Sequence, residues 1–300
     1  MLALRLATVS RNYFNLPIWI ALQEGFFAAE NLDVTLEIHE PIDAVYERLR
    51  DGHVQFACGV TEHVILDRER GGDQEIIAGN VNKLPFSFIG AKHIRTIEDL
   101  RGGTIGVSSI EAGSSSLVMK MLAAHGLEYP RDYTLLACGP ILARWEKLQS
   151  GEIDAGLQGV PLNHIAIDAG YTDLGDPRAL FPDFQFTSLH VQARWARDNQ
   201  ATTIAFLRAW VRAHRWFFAN RAGANAIAMT ETGIREVDAD RAWLECTKAG
   251  IFPQDGSASV AAVQTLIEVS ALIRALPSRA RIHAEDYIND SYIEAAGYRH

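Results

Sequence analysis

A nine-residue pattern occurs twice in this chain, and that repeat limits the possible folds more than any other feature. Tyr46–Val54 reads Tyr-Glu-Arg-Leu-Arg-Asp-Gly-His-Val, and Trp145–Ile153 reads Trp-Glu-Lys-Leu-Gln-Ser-Gly-Glu-Ile. At a constant offset of 99 residues, aromatic meets aromatic, Glu meets Glu, Leu meets Leu and Gly meets Gly. A repeat of this length marks a duplicated supersecondary unit. In both copies the pattern predicts an amphipathic helix that stops at a glycine, the residue best suited to a left-handed C-terminal cap. A short strand then follows, Val54–Ala57 or Ile153–Gly156, and a turn containing glycine.

Upstream, the copies agree more loosely. Leu4–Val9 predicts a strand leading into a helix from about Pro17 to Asn31-Leu32, then a second strand at Val34–Ile38. Likewise Thr104–Val107 leads through Ser108–Ser116 into a helix ending at Gly126-Leu127, with a strand at Tyr133–Ala137. Pro17 suits a helix start, where its missing N–H costs nothing. Alternation of this kind predicts parallel βαβ units. Leu84–Gly90 reads as the strand leaving the first unit and Phe186–Ala193 as the one leaving the second. Beyond Asp198 the pattern is helical: Ala201–Ala219, Asn225–Met229, Ala239–Ala249, Ser257–Ala275 and a tail around Tyr287–Ala296. The expected assembly is α/β with two lobes, residues 1–88 plus 188–300 and residues 89–187, joined by two crossing segments that act as a hinge.

Composition narrows the partners. The net charge of −9 and the absence of a Lys/Arg block speak against nucleic acid. The longest stretch without a charged residue, Ala155 to Ile167, is too short to span a membrane, so no membrane insertion is expected. Three widely spaced cysteines, Cys58, Cys138 and Cys246, suggest neither a disulfide framework nor a zinc site. The N-terminus enters a strand at once and shows no basic, apolar and cleavage regions of a secretory signal. The expected compartment is therefore the cytoplasm if Met1 is the native start, and the periplasm if the sequence is a mature or truncated form.

Ligands of open parallel sheets bind beyond the C-terminal strand ends, which places the expected site in a cleft between the lobes. The strand-end loops supply Asn12, Tyr13 and Phe14, then Gly59 and Thr61, Asn80, Gly113, Ser114 and Ser115, Gly159 and Val160, and Thr187. The richest is Ser108–Ser116, ahead of a helix, where free N–H groups and three hydroxyls favour an anionic or polar group. A serine there is also a plain helix cap. Tyr13 and Phe14 can form an apolar wall or pack in the core. Asn80 and Asn82 can bind ligand or simply form turns. Arg11 and Lys83 are further candidates whose direction the sequence leaves open.

Catalytic motifs are scarce: GxxxxGK[ST], HExxH, GxGxxG and GxSxG are all missing. Cys58 and His63 are close enough for a thiolate–imidazole pair, although a cysteine in Phe56-Ala57-Cys58-Gly59 more often fills a core. Glu62, His63 and Asp67 have helical spacing that suits a solvated face better than a metal. No catalytic residue, metal or cofactor is expected.

Three segments carry a resemblance. Leu16–Val34, with Glu24-Gly25-Phe26-Phe27 and Asn31-Leu32-Asp33-Val34, looks like the opening of the sulfonate/nitrate/taurine (SsuA-like) solute-binding proteins, grouped with the NMT1/THI5-like proteins. Ile97–Val107 resembles the start of that family's second lobe, and Leu148–Ala155 its Leu-x-x-Gly-Glu-Ile-Asp-Ala step. The resemblance spans about residues 1–195. It implies a type II periplasmic-binding-protein fold that closes on a small molecule and delivers it to an ABC permease without chemistry. Some relatives are instead intracellular enzymes: an aromatic sulfinate desulfinase, dihydroxyphthalate decarboxylases and a pyrimidine synthase. The desulfinase carries its nucleophilic cysteine in the first strand–helix loop, where this chain reads Asn12-Tyr13-Phe14. The synthase's cysteine-rich segment and histidine have no matching context here. The expected function is a solute receptor, with an enzyme on the same clamshell as the alternative.

Overall fold

A computed structural model describes residues 1–110, 114–272 and 283–297. The chain divides into two compact units. The first holds Met1–Lys83, Asp183–Leu266 and the C-terminal segment; the second holds Leu84–Pro182 and the chain just beyond Leu266.

The first unit is built on five strands: β1 (Leu2–Thr8), β2 (Leu32–Ile38), β3 (Phe56–Val60), β4 (Gln74–Val81) and β10 (Thr187–Gln192). The second has β5 (Phe86–Gly90), β6 (Thr104–Val107), β7 (Thr134–Ala137), β8 (Ala155–Gly159) and β9 (Thr172–Gly175). Their orders, β2-β1-β3-β10-β4 and β7-β6-β8-β5-β9, follow one scheme. The duplication extends to register, since Ala7 pairs with Ala57 in the first sheet and Gly106 with Gly156 in the second. The expected purely parallel sheets are corrected in one respect. Leu84–Gly90 and Phe186–Ala193 each become a strand of the sheet that the chain has just entered, and both run antiparallel to their neighbours. A segment arriving without a preceding crossover helix has no reason to run parallel.

Local sequence explains the helix boundaries. α3 (Ile42–Arg50) and α6 (Ile141–Ser150) are the repeated helices, and Gly52 and Gly151 follow them with φ of +73° and +78°. The single helix expected from Pro17 to Asn31 is two helices, α1 (Leu16–Gln23) and α2 (Phe26–Ala29). Gly25 separates them with φ +69°, a conformation that ends one helix and starts another. α4 (Glu62–Glu69) follows β3, α5 (Ser114–Ala123) follows β6, and α7 (Leu162–Asp168) follows β8.

After β10 come α8 (Ala193–Asp198), α9 (Gln200–Ala219), α10 (Arg221–Thr232), α11 (Glu236–Ala249) and α12 (Val260–Leu272). The helix expected over Asn225–Met229 is thus longer at both ends. The part of Ser257–Ala275 beyond Leu272 lies outside the described residues, and the tail holds a short α13 (Ser291–Ala295). α9 closes the first core. Phe206 stacks on Phe56 with ring centroids 3.9 Å apart, and Trp210 Nε1 donates to the Gly79 carbonyl at 3.0 Å. Burying each such aromatic contributes on the order of 2–3 kcal/mol.

Candidate strand-end ligand site

In the first unit, the C-terminal ends of β1, β3 and β4 meet the start of β10. Asn12 accepts a hydrogen bond from Phe14 N at 3.0 Å and so caps the 3-10 turn Tyr13–Asn15. Asn80, fully buried at the end of β4, donates through Nδ2 to the Phe14 carbonyl at 2.9 Å and to Thr187 Oγ1 at 3.0 Å. Asn12, Phe14, Asn80 and Thr187 therefore form one hydrogen-bonded group. Asn80 Oδ1 and Tyr13 Oη are buried, each with no hydrogen-bond partner among the described residues. Both rings of the expected apolar wall are packed: Phe14 lies edge-on to Phe186 at 5.6 Å, and Tyr13 stacks near Phe252 at 6.5 Å. Burial also holds the Tyr13 phenol well above its ordinary pKa.

Thr61 is buried, with its hydroxyl 2.8 Å from Ser188 Oγ, which in turn meets His190 Nε2. Gly59 has a packing reason: a Cβ there would lie 2.8 Å from Tyr46 Oη, which donates to the Val60 carbonyl at 2.7 Å. His63 stacks on Tyr46 with centroids 4.4 Å apart. Burial lowers the His63 pKa, and burial together with the nearby His63 takes that of His190 down to about 3. Burial also pushes the Cys58 thiol far up. Cys58 is thus a neutral core residue. Arg11 points away from these groups into an ion pair with Glu231.

In the second unit, Ser114 opens α5. Its Oγ accepts from Ser108 N at 2.9 Å and lies 3.2 Å from Ser108 Oγ, which accepts from Ser114 N at 3.3 Å, so Ser108 and Ser114 are tied to each other. Ser115 and Ser116 are buried beside it, and Gly113 lies outside the described residues. Gly159 ends β8, and Val160 N donates to the Pro85 carbonyl at 3.0 Å.

Four residues of the second unit escaped the sequence reading: Arg144, Gln158, Ser87 and Asn163. Arg144, in the first turn of α6, is only 2% exposed and donates from Nε to the Leu157 carbonyl at 2.7 Å. Desolvation lowers its pKa to about 10. Gln158 is fully buried in β8, and neither polar atom of its amide has a hydrogen-bond partner among the described residues. Asn163 donates to Ser87 Oγ at 3.2 Å. A signal was present: the offset of 99 aligns Arg144 with the buried Val45, so a charge stands where the other copy is apolar.

A family model described as NMT1/THI5 like matches residues 13–224. The 4-amino-5-hydroxymethyl-2-methylpyrimidine phosphate synthase of Uromyces fabae is 27% identical over 214 residues, 65% of this chain and 61% of that protein. The match thus spans about three fifths of that relative's length. Among solved structures, the ligand-binding component of an ABC-type import system from Staphylococcus aureus, with zinc bound, has a TM-score of 0.80 at 11% identity, covering 99% of both chains. The alkanesulfonate-binding protein SsuA from Xanthomonas axonopodis pv. citri, bound to MOPS, has a TM-score of 0.75 at 18% identity, covering 96% and 98%. The CA3427 gene product of Candida albicans, with the generic periplasmic-binding-protein fold, has a TM-score of 0.75 at 14% identity, covering 97% of each. At such identities the likeness is one of fold, and the expected fold is found.

Proposed function

The chain belongs to the NMT1/THI5-like family, and from that premise we propose that it is a small-molecule receptor of an ABC-type uptake system. The observation that carries this reading is Asn80 Oδ1, a buried polar atom at the strand ends of the first unit that has no hydrogen-bond partner among the described residues. A buried polar atom without a partner costs about 1–3 kcal/mol. A polar solute that supplies the missing bonds recovers that cost on binding. Asn80 and Thr187, already bonded to each other, orient such a solute in the first unit. The neutral Cys58 thiol and the neutral imidazoles of His63 and His190 suit hydrogen bonding better than nucleophilic attack.

The identity with the Uromyces fabae synthase favours a second reading, an enzyme of pyrimidine phosphate synthesis. Native mass spectrometry of protein purified without added ligand separates the two. A solute that is retained and released unchanged supports the receptor. Accumulation of the pyrimidine phosphate during incubation with a small-molecule cell extract supports the enzyme and overturns the receptor. Cell fractionation adds an independent check, the receptor being expected in the periplasm and the enzyme in the cytoplasm.

A further inference from the structure

The two copies of the repeat differ in one concerted way. Where the first has Ala7, Ala57 and Val45, all fully buried, the second has Gly106, Gly156 and Arg144. Ala7 faces Ala57 across one pair of strands, and Gly106 faces Gly156 across the matching pair. A Cβ on Gly156 would lie 3.0 Å from Arg144 Cδ, and one on Gly106 would run into Ile153 Cδ1 and lie 3.1 Å from Cys138 Sγ and 3.2 Å from Arg144 Cγ. At Gly156 a methyl group would therefore crowd the arginine stem first, whereas at Gly106 Ile153 is the first obstacle and the stem a further one. The Arg144 stem passes the glycine pair, and Nε reaches Leu157, one residue nearer the C-terminal end of β8.

That arrangement gains nothing from packing alone. A buried charge is costly unless it is paired, and among the described residues no carboxylate makes an ion pair with Arg144. Its one hydrogen bond uses Nε, which leaves the N–H groups of both Nη atoms for another acceptor. Gln158 adds an independent observation. It lies two residues after Gly156 in β8 and so shares the face that Arg144 covers. Among the described residues, its amide has neither donor nor acceptor satisfied. Ser87, directly opposite Gln158, already accepts from Asn163 and does not complete it.

We infer that Arg144 and Gln158 form an anion subsite of the second unit, built for the carboxylate or sulfonate head of a small organic solute. The fork of a guanidinium matches two oxygens of such a head, and the glutamine amide supplies a further donor. This assignment rests on the reading that the chain binds a small molecule, and it adds both the charge of that molecule and the residues that read it.

The test uses the full chain with propane-1-sulfonate and butanoate as anionic probes, and propane-1-sulfonamide and butanamide as neutral counterparts. Binding is read by calorimetry and by the shift in Tm, and folding by circular dichroism. Wild-type protein is expected to be stabilised by at least one anion and not by its neutral counterpart. Gln158→Met removes an unpaired buried amide at nearly constant volume, so this variant should melt no lower than wild type without ligand. Both Gln158→Met and Arg144→Met should bind the anion at least about tenfold more weakly. If Arg144→Met fails to fold, Gln158→Met decides alone.

A folded variant that binds the anion within about twofold of wild type overturns the inference. So does wild-type protein that responds to neither anion. In that case a solute retained in native mass spectrometry still upholds the small-molecule reading, so the two fail separately.

Discussion

Asn80 Nδ2 lies 3.0 Å from Thr187 Oγ1, and this bond ties the end of β4 to the first residue of β10, the strand that returns to the first sheet. The same amide nitrogen holds the Phe14 carbonyl at 2.9 Å, so one side chain joins three segments far apart in sequence. Asn80→Ala would leave a buried carbonyl and a buried hydroxyl short of a donor. It should destabilise the protein by about 1–3 kcal/mol, read as a lower urea midpoint at an unchanged m-value. A midpoint equal to that of wild type would show that water takes over both bonds.

Gly156 and Arg144 should be coupled. Gly156→Ala puts a methyl group 3.0 Å from Arg144 Cδ and 3.1 Å from the Gly106 carbonyl. Overpacking of this kind costs about 1–3 kcal/mol. Arg144→Val, which restores the residue type of the first copy, should relieve much of it. A double-mutant cycle on urea unfolding is expected to give a coupling energy of at least ~0.5 kcal/mol, and strict additivity would contradict the steric account.

Stability should fall in mild acid because two buried imidazoles must gain protons there. His190 and His214 have folded pKa values of about 3 and about 4, both lowered from 6.5 chiefly by desolvation. Between 6.5 and those values the unfolded chain binds more protons than the folded one. Their contribution is therefore complete above 6.5 and is lost as pH drops toward 4, by up to about 1.4 kcal/mol per pH unit for each group. His214 Nδ1 lies 2.8 Å from the Pro253 carbonyl, a bond that an asparagine amide can imitate. Over that range His214→Asn should lose less stability than wild type, as measured by chemical denaturation at a series of pH values.

Thiol labelling offers a check on the chemistry of the first unit. Cys58, Cys138 and Cys246 are all buried and none forms a disulfide, and burial raises the pKa of the Cys58 and Cys138 thiols. The thiolate is the reactive form, so the native protein should take up iodoacetamide very slowly near neutral pH. The urea-unfolded chain should take up three equivalents, as counted by intact mass. Rapid native labelling at Cys58 would revive a thiolate–imidazole pair with His63.

What the sequence by itself determined is the part of the fold governed by local rules. The repeat at an offset of 99, the glycines after α3 and α6, and the periodicity of the long α9 are all written in neighbouring residues, and they place the helices and the parallel strands. The strand ends followed from the same pattern only approximately, because Asn80 and Thr187, expected in loops, are buried residues of β4 and β10, and Ser114 is the first residue of α5. Tertiary structure alone decided which of those groups are satisfied. Asn12 turned inward as a cap, Gly59 makes room for Tyr46, and Tyr13 and Phe14 pack against rings from distant loops. The antiparallel insertion of β5 and β10 also depends on long-range pairing, to which no local propensity points. Arg144 shows the boundary between the two most clearly. Its charge is visible in the sequence, but helix periodicity records only that a position faces inward. Whether a buried guanidinium meets a carboxylate, a backbone carbonyl or a pair of glycines depends on which strands come together beneath it.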